Sequence, residues 1–502
     1  MNKAPGFART KSLSVLIVFA MAAFLLFSTA ALAQVSLVQL SSDPFTDTDA
    51  QHMTEVEPDT FAFGSTMVTA FQTGRIFGGG SSDIGFATSH DAGVTWTNGF
   101  LPGITVNMGG HFSAASDPSV AFDAKHGVWM IDLLGLAPTN SLLVSTSADG
   151  ITWNNPVTID NRSSFADKNW IVCDSNSGSP FFGHCYAEWD DAGLGDQEKM
   201  STSSDGGQTW STPVNVRNAF GLGGQPVVQP NGTVVVPFEG NGMQAFSSTD
   251  GGLTWGNLVT ISTISDHGVA GSMRTSPLPS AEVDGAGTVY VAWQDCRFRT
   301  GCKSNDIVFS SSSDGKTWAA VSRVPTDPTS STIDHFIPGL AVDPNTSGST
   351  AHLALTFYFF PVANCSTNCK LMVGFTSSQD AGKTWSKALK LAGPMRTTWL
   401  ANTSQGRMVG DYMSTSYVNG GVSFGVFAKA LQNNGGTFNE AMYTTNMGLD
   451  LTVLAGPAVL SSAHDRPVPN AHSDHGPSLF WDHEGRLPKN PNTPPALDLD
   501  LQ

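Results

Sequence analysis

Past its first few dozen residues the chain alternates. Runs such as Asp83-Ile-Gly-Phe-Ala, Ser141-Leu-Leu-Val, Asp306-Ile-Val-Phe and Leu371-Met-Val-Gly-Phe mix apolar and small polar positions and read as strands. After the leader, no stretch of ten or more residues keeps a helical period free of Gly or Pro breakers. These runs lead into a common turn. Ser-x-Asp-x-Gly-x-Thr-Trp occurs at residues 89–96, 203–210, 248–255 and 378–385, and one residue shorter at 147–153 and 312–318. Such a box predicts a hairpin turn with a clasp. The Asp carboxylate accepts backbone N–H groups two or three residues on, the Gly supplies positive φ, and the hydroxyls satisfy backbone groups across the turn. The Trp ring anchors the turn in the adjoining sheet, with an acceptor for its indole N–H.

Spacing turns the box into a fold. The box tryptophans at 96, 153, 210, 255, 318 and 385 lie on average about 58 residues apart, enough for a four-stranded antiparallel blade with generous loops. The prediction is an all-β chain, a β-propeller of at least six blades. Three further strand-like runs, at Gly410-Asp-Tyr-Met-Ser-Thr-Ser-Tyr, Val422-Ser-Phe-Gly-Val-Phe-Ala and Asn439-Glu-Ala-Met-Tyr-Thr, favour seven blades over six. Residues 35–40 or 451–460 would then close the ring. The propeller is expected over 34–462. Residues 463–502 form a His- and Pro-rich extension, partly disordered, whose Pro488, Pro491, Pro494 and Pro495 sit among little apolar mass.

Residues 1–33 read as a signal peptide. Lys3, Arg9 and Lys11 precede an apolar run at 15–27, and Ala31-Leu-Ala33 offers a cleavage site before Gln34. An uncleaved anchor is the other reading, but the run is short for a bilayer. The mature chain is therefore expected to be secreted, extracellular or periplasmic, without membrane insertion. Export changes the meaning of the six cysteines. They fall in local couples, Cys173 with Cys185, Cys296 with Cys302 and Cys365 with Cys369, and an oxidising compartment favours three disulfides. Zinc at Cys365 and Cys369, or unpaired thiols, are the alternatives. A net charge of −17 with only 13% charged residues argues against nucleic acid as a partner. Oligomeric state leaves no mark in the sequence.

The boxes resemble the Asp-box, or bacterial neuraminidase, repeats of the sialidase superfamily. That resemblance implies boxes on the outer edge of the propeller and a site elsewhere. A second pattern is shared by two blades: Phe71-Gln-Thr-Gly-Arg75 leads to Asp83 and Ser89, and Trp293-Gln-Asp-Cys-Arg297 leads to Asp306 and Ser312. It looks like the sialidase arrangement in which arginines converge on a substrate carboxylate, with Arg274 and Arg407 completing the set through bidentate guanidinium contacts. Ion pairs between blades are the competing reading of the same arginines. A Tyr nucleophile with a Glu partner would be Tyr412, beside Asp411, with Glu188 or Glu239. Two family positions differ: Glu55-Val-Glu57-Pro58 stands where the first arginine would be, and Phe77-Gly-Gly-Gly-Ser-Ser where the general acid would be.

The expected function is an exported, sialidase-like propeller that binds, and in its enzymatic form hydrolyses, extracellular acidic glycans or other carboxylated saccharides. The alternative is a non-catalytic propeller that binds glycan or protein. A lyase using Tyr and Arg is a third reading. No cofactor is required. Asp167-Lys-Asn-Trp170 and Glu188-Trp-Asp-Asp191 have the composition of a Ca2+ loop, or of a solvated one. His464, His472, His475 and His483 suit a transition metal or a polar extension.

Overall fold

The computed structural model describes residues 1–2, 35–367, 369–450 and 459–460. The signal-peptide reading rests on residues that, apart from Met1 and Asn2, lie outside this range, and so does the extension at 463–502. The chain divides into residues 1–35 and 36–502, and all the strands lie in the second unit. It is all-β, its helices being single 3-10 turns, and no helix among the described residues is long and apolar enough to cross a membrane.

The strands group as antiparallel meanders. β1 (Leu37–Gln39) stands apart in sequence and is placed below. β2 (Ala50–Phe63), β3 (Thr66–Ile76), β4 (Ser81–Ser89) and β5 (Thr97–Phe100) form the first group, and β6 (Ala114–Asp123), β7 (Val128–Leu136), β8 (Ser141–Ser147) and β9 (Val157–Asp160) the second. Four separate four-stranded sheets follow. They are β10 (Ala166–Cys173), β11 (Cys185–Asp191), β12 (Gln197–Ser203) and β13 (Val214–Phe220); β14 (Val227–Val228), β15 (Val234–Gly240), β16 (Gly242–Ser248) and β17 (Val259–Ser262); then β18 (Ser280–Val283), β19 (Val289–Asp295), β20 (Asp306–Ser312) and β21 (Ser322–Arg323). The fourth combines β22 (Asp334–Val342), β23 (Leu353–Phe360) and β24 (Lys370–Ser378) with β26 (Leu389–Arg396), while β25 (Thr384–Trp385) pairs with residues 459–460. β27 (Ala401–Thr403) and β28 (Gly406–Met408) make a small hairpin before β29 (Ser414–Val418), β30 (Val422–Ala430) and β31 (Glu440–Thr445). β1 adds to the outer side of β31, so the start of the described chain completes its last sheet.

Backbone pairing joins the last group to the first two in one 13-stranded sheet, but the joints are thin. Thr54 meets Glu440 at a single parallel pair, and Ser81 meets Ala115 at a single antiparallel one. Side-by-side packing follows a different path. The leading strands touch in succession, β2 with β6, β6 with β10, β10 with β14, β14 with β18, β18 with β22, β22 with β29, and β29 again with β2.

The boxes do more than turn the chain. In the box at 203–210, Asp205 Oδ1 accepts from Ser203 Oγ at 2.9 Å and from the amides of Gln208 and Thr209 at 3.0 Å, and its Oδ2 accepts the Thr209 hydroxyl at 2.6 Å. Each box also abuts the preceding sheet: Gly93 lies against Phe424, the Gly150 carbonyl accepts from Thr88, and Gly207, Gly252, Gly315 and Gly382 lie against Met130, Tyr186, Val235 and Phe309. Only glycine fits. A Cβ at Gly93 (φ +84) would come 2.3 Å from Phe424 Cζ, and one at Gly382 (φ +80) 2.5 Å from Phe309 Cζ. The indole N–H groups of Trp96, Trp210 and Trp385 donate to the box glycine carbonyl three residues back, at 3.1, 3.3 and 3.0 Å. The expected acceptor is not made everywhere: Trp153, Trp255 and Trp318 have buried indole nitrogens without a partner among the described residues.

All three local disulfides form, Cys173–Cys185, Cys296–Cys302 and Cys365–Cys369. The first bridges directly opposed residues of β10 and β11.

Candidate functional site

Four leading strands carry a bulge with a residue at positive φ: Glu57 (φ 62) on β2, Asp117 (φ 50) on β6, Lys168 (φ 49) on β10 and Ile337 (φ 49) on β22. Pro58, Pro118 and Pro338 follow three of them. Proline has no ladder donor to lose, so it suits a point where pairing is interrupted, and the bulge re-aims the side chain beside it. The result is a charged cluster. Lys168 Nζ contacts Asp411, and lies 3.7 Å from Asp117 Oδ2 and 3.9 Å from Glu57 Oε1. Arg274 grips Asp411 with both arms of its fork, Nε to Oδ1 at 2.7 Å and Nη2 to Oδ2. The Asp411 amide donates to Glu57 Oε1 at 3.2 Å, and Gln72 donates to Glu57 Oε2.

Beside the cluster is a pocket of about 390 Å³, counting its open mouth. Arg75, Arg274, Asp117, Asp167 and Ser116 supply its polar wall, Leu134, Leu136 and Phe165 the apolar side, and Gly78-Gly79-Gly80 with Gln405 the remainder. Arg75 is 3% exposed. Its Nη1 donates to the Gly80 carbonyl at 2.6 Å and to Gln72 Oε1 at 3.1 Å, and its Nε faces Met408 Sδ at 3.2 Å. No carboxylate among the described residues comes within ion-pair distance of it.

Electrostatics divide the acids. Burial pushes Glu57 up to about 8, with Asp117 adding to the effect and Lys168 opposing it. Burial likewise lifts Asp167 to about 7. Burial would raise Asp411 and Asp117 too, but Arg274 and Lys168 outweigh it at Asp411, and Lys168 and Ser116 at Asp117, so both are held below the usual carboxylate range. Burial, and then the charge of Arg274, lower Arg75 to about 10. Two buried cations thus face one pocket.

Not every expected site residue arrives there. Arg75 and Arg274 come together, and Asp411 joins them as the partner of Arg274 rather than as a free acid. Arg407 sits on β28 with its amide bonded to the Ser272 carbonyl, and its Nη1 donates to the Leu400 carbonyl at 3.1 Å. Arg297 is not at the pocket: it is ion-paired with Asp295 and bonded to Ser262, with its guanidinium 6.0 Å from the Trp293 ring centroid. Arg274 pairs with an acid far along the chain, as the between-blade reading has it, whereas Arg297 pairs with Asp295 of its own blade. Tyr412 is buried, its hydroxyl donates to the Pro118 carbonyl at 3.0 Å, and its ring meets Trp170 edge-on at 5.0 Å. Burial, with Glu57 and Asp117 next, raises its hydroxyl well above the ordinary value. Glu188 points elsewhere, into a buried group with Glu198 and Asp190, and burial together with Glu198 raises it well above the ordinary range. Glu239 is also pushed up, by burial and Asp266, to about 8.

The Ca2+ reading of these segments gains little. Asp191 is held by Lys199 at 2.7 Å and by the amides of Ser164 and Phe165. Among the described residues the one set of acid and imidazole atoms close enough to share an ion is Asp306, Asp327 and His335. Both its carboxylates are ion-paired with Arg299 and Arg323, which leaves a cation poorly matched. Glu57, Asp117 and Lys168 were not legible as site residues. The recurrence of Pro after Glu57, Asp117 and Ile337 is the signal that marks their bulges.

Residues 183–395 match the model of the BNR repeat-like domain. This stretch of the chain carries the BNR repeat, in line with the resemblance of the boxes. Of the six boxes, four lie wholly within the match, at 203–210, 248–255, 312–318 and 378–385. No curated protein sequence matches this BNR-repeat chain. Solved structures resemble it at low identity. A protein of unknown function from Dyadobacter fermentans is 17% identical, with a TM-score of 0.45 over 69% of this chain and 98% of that one. The NanB sialidase of Streptococcus pneumoniae is 14% identical, with a TM-score of 0.40 over 84% of this chain and 71% of that one. A PL25 ulvan lyase bound to a glucuronate-containing saccharide is 12% identical, with a TM-score of 0.46 over 82% and 99%.

Proposed function

We propose that the chain is an exported seven-bladed Asp-box propeller over residues 34–462, whose pocket binds a carboxylated unit of an extracellular glycan. The blade count is supported by the succession of leading strands that returns from β29 to β2, by the box at Gly93 lying against the last sheet, and by β1 completing that sheet. Export is supported by the three disulfides. The observation that carries the ligand is Arg75. Its guanidinium is 3% exposed and makes no direct ion pair, with Glu57, Asp117 and Asp411 acting on it only from beyond ion-pair distance and Arg274 opposing, so an anion drawn against it would be favoured. A carboxylate at the remaining Nη2 supplies that anion, entering through the open mouth of the pocket.

Binding is better supported than cleavage by Tyr412 and Glu188, because these two side chains face different neighbours. The test is affinity electrophoresis against hyaluronan, polygalacturonate and a sialylated glycoprotein, each also in carboxyl-reduced form. Retardation by at least one native ligand, abolished by carboxyl reduction and weakened about tenfold in Arg75→Lys, is the expected result. Equal retardation by native and reduced ligands contradicts it and favours a protein-binding or assembly role.

A further inference from the structure

The pocket holds an arrangement that binding alone does not need. Asp117 on β6 and Asp167 on β10 both line it. The Lys168 amide points between them, 3.2 Å from Asp117 Oδ2 and 3.0 Å from Asp167 Oδ1. Two carboxylates around one donor do not both ionise cheaply, so the pair holds one proton. Its two members are equipped differently. Asp117 also accepts the Ser116 hydroxyl at 2.6 Å and has the Lys168 ammonium 3.7 Å away, so it keeps the charge. Asp167 has the shared amide, and across the sheet it faces Asp190, its direct partner on β11. The charged groups around Asp167 are thus Asp117, Asp190, Lys168 and Arg274. Asp117 and Lys168 are themselves the positive-φ residues of adjacent bulges, a conformation that costs on the order of 1 kcal/mol and that brings the two carboxyls together.

We propose that this pair makes the protein a lyase acting on 4-linked uronates: Asp117 takes the C5 proton of a sugar whose carboxylate lies against Arg75, and Asp167 gives its proton to the departing O4. The inference rests on the reading of the pocket as a carboxylated-saccharide site. The C5–H bond breaks and its electron pair forms the C4=C5 double bond. The C4–O4 bond breaks, and the oxygen leaves with its pair and gains the Asp167 proton. One proton then passes from Asp117 to Asp167 within the pair, and the starting state returns. Nothing is oxidised, and no further reactant enters. Arg75, beside the substrate carboxylate, stabilises the negative charge that develops as C5 loses its proton. Inverting hydrolysis, by contrast, needs carboxyls about 6.5–9.5 Å apart to admit water, whereas these two share a single N–H. Burial, with Asp117 adding and Lys168 opposing, holds Asp167 near 7, so the donor is protonated in neutral and acidic solution.

The experiment incubates the full mature chain with hyaluronan, polygalacturonate and alginate and follows the ultraviolet absorbance of the unsaturated uronate. Binding is measured in parallel by affinity electrophoresis. The wild type should produce the chromophore from at least one polymer, with a rate that falls as the pH rises through about 7. D167N should lower the rate at least about 100-fold while binding and melting temperature hold, since it exchanges a neutral acid for a neutral amide of the same shape. D117N should lower the rate as strongly but also the melting temperature, because it removes a charge opposite Lys168, so D167N is the decisive variant. New reducing ends without the chromophore, binding without any cleavage, or a D167N enzyme at full rate would each overturn the inference while leaving the pocket reading intact. Absence of binding to all three polymers would overturn both.

Discussion

The box turns and the pocket wall are carried by the same sheets, yet they treat acids in opposite ways. A box aspartate sits at the surface and collects donors from its own turn. Hydrogen bonds from Thr95, Thr152 and Thr317 hold Asp91, Asp149 and Asp314 at about 2. In the pocket the acids are buried and depend on residues hundreds of positions away: Lys168 meets Asp411, and Arg75 lies beside Arg274. There burial lifts Glu57 to about 8 and Asp167 to about 7. The difference separates stability from chemistry. A unit that satisfies itself locally can be copied six times as a clasp, whereas a site with raised and lowered acids side by side needs several sheets held in fixed relation.

The largest expected effect is on the pH dependence of stability, where the two regions pull against each other. A carboxyl whose folded pKa lies above its unfolded value retains a proton that the unfolded chain has lost. Glu57 and Asp167, at about 8 and 7, therefore make stability fall as the pH rises from about 4 to about 8. The box aspartates contribute stability above about 4 that is lost as the pH falls toward about 2. Calorimetry of the mature chain should place the maximum melting temperature near pH 4 to 5, by about these windows. A melting temperature that climbs steadily from pH 5 to 8 would break the contrast.

Trp385→Ala tests the clasp. Its ring is 1% exposed and packs against Phe309 of the preceding sheet at 5.9 Å, so its loss should cost about 3–5 kcal/mol in denaturant unfolding. The half-buried Trp210 should cost less when replaced by Ala, and neither change should alter saccharide affinity in the folded fraction. Asp411→Asn tests the pocket by leaving Arg274 and Lys168 without their shared counter-charge, a loss of about 3 kcal/mol that should come with weakened binding. Equal loss of binding in Trp385→Ala and Asp411→Asn would erase the distinction between the two regions. The smallest effect is expected for Cys365→Ser with Cys369→Ser. That bridge closes a loop of sequence separation 4, and its removal should cost about 2 kcal/mol, less than removal of the Cys173–Cys185 bridge with its separation of 12.

Legibility in sequence follows the same division. The box residues are consecutive, so the chemistry of the clasp, the strand that precedes it and the all-β class could be read from the chain. The cysteine couples were legible for the same reason. The pocket and the charged cluster beside it were legible as a site only in Arg75, Arg274 and Asp411, because Glu57, Asp117 and Lys168 come from separate leading strands and acquire their direction from bulges. Arg297 shares a local pattern with Arg75, but Asp295, two residues away, captures its guanidinium. A repeated pattern specified the same turn twice without specifying the same neighbour.

The central claim is that the bulges of the leading strands bring a saccharide carboxylate to Arg75 with Asp117 and Asp167 at the bond to be cut. The most direct measurement is a crystal structure of the Asp167→Asn variant soaked with a hyaluronan or galacturonate oligomer. The account predicts a carboxylate within hydrogen-bond distance of Arg75, and residue 167 within reach of the glycosidic oxygen. An oligomer seated along the box turns, or one in the pocket with its carboxylate turned away from Arg75, would contradict it.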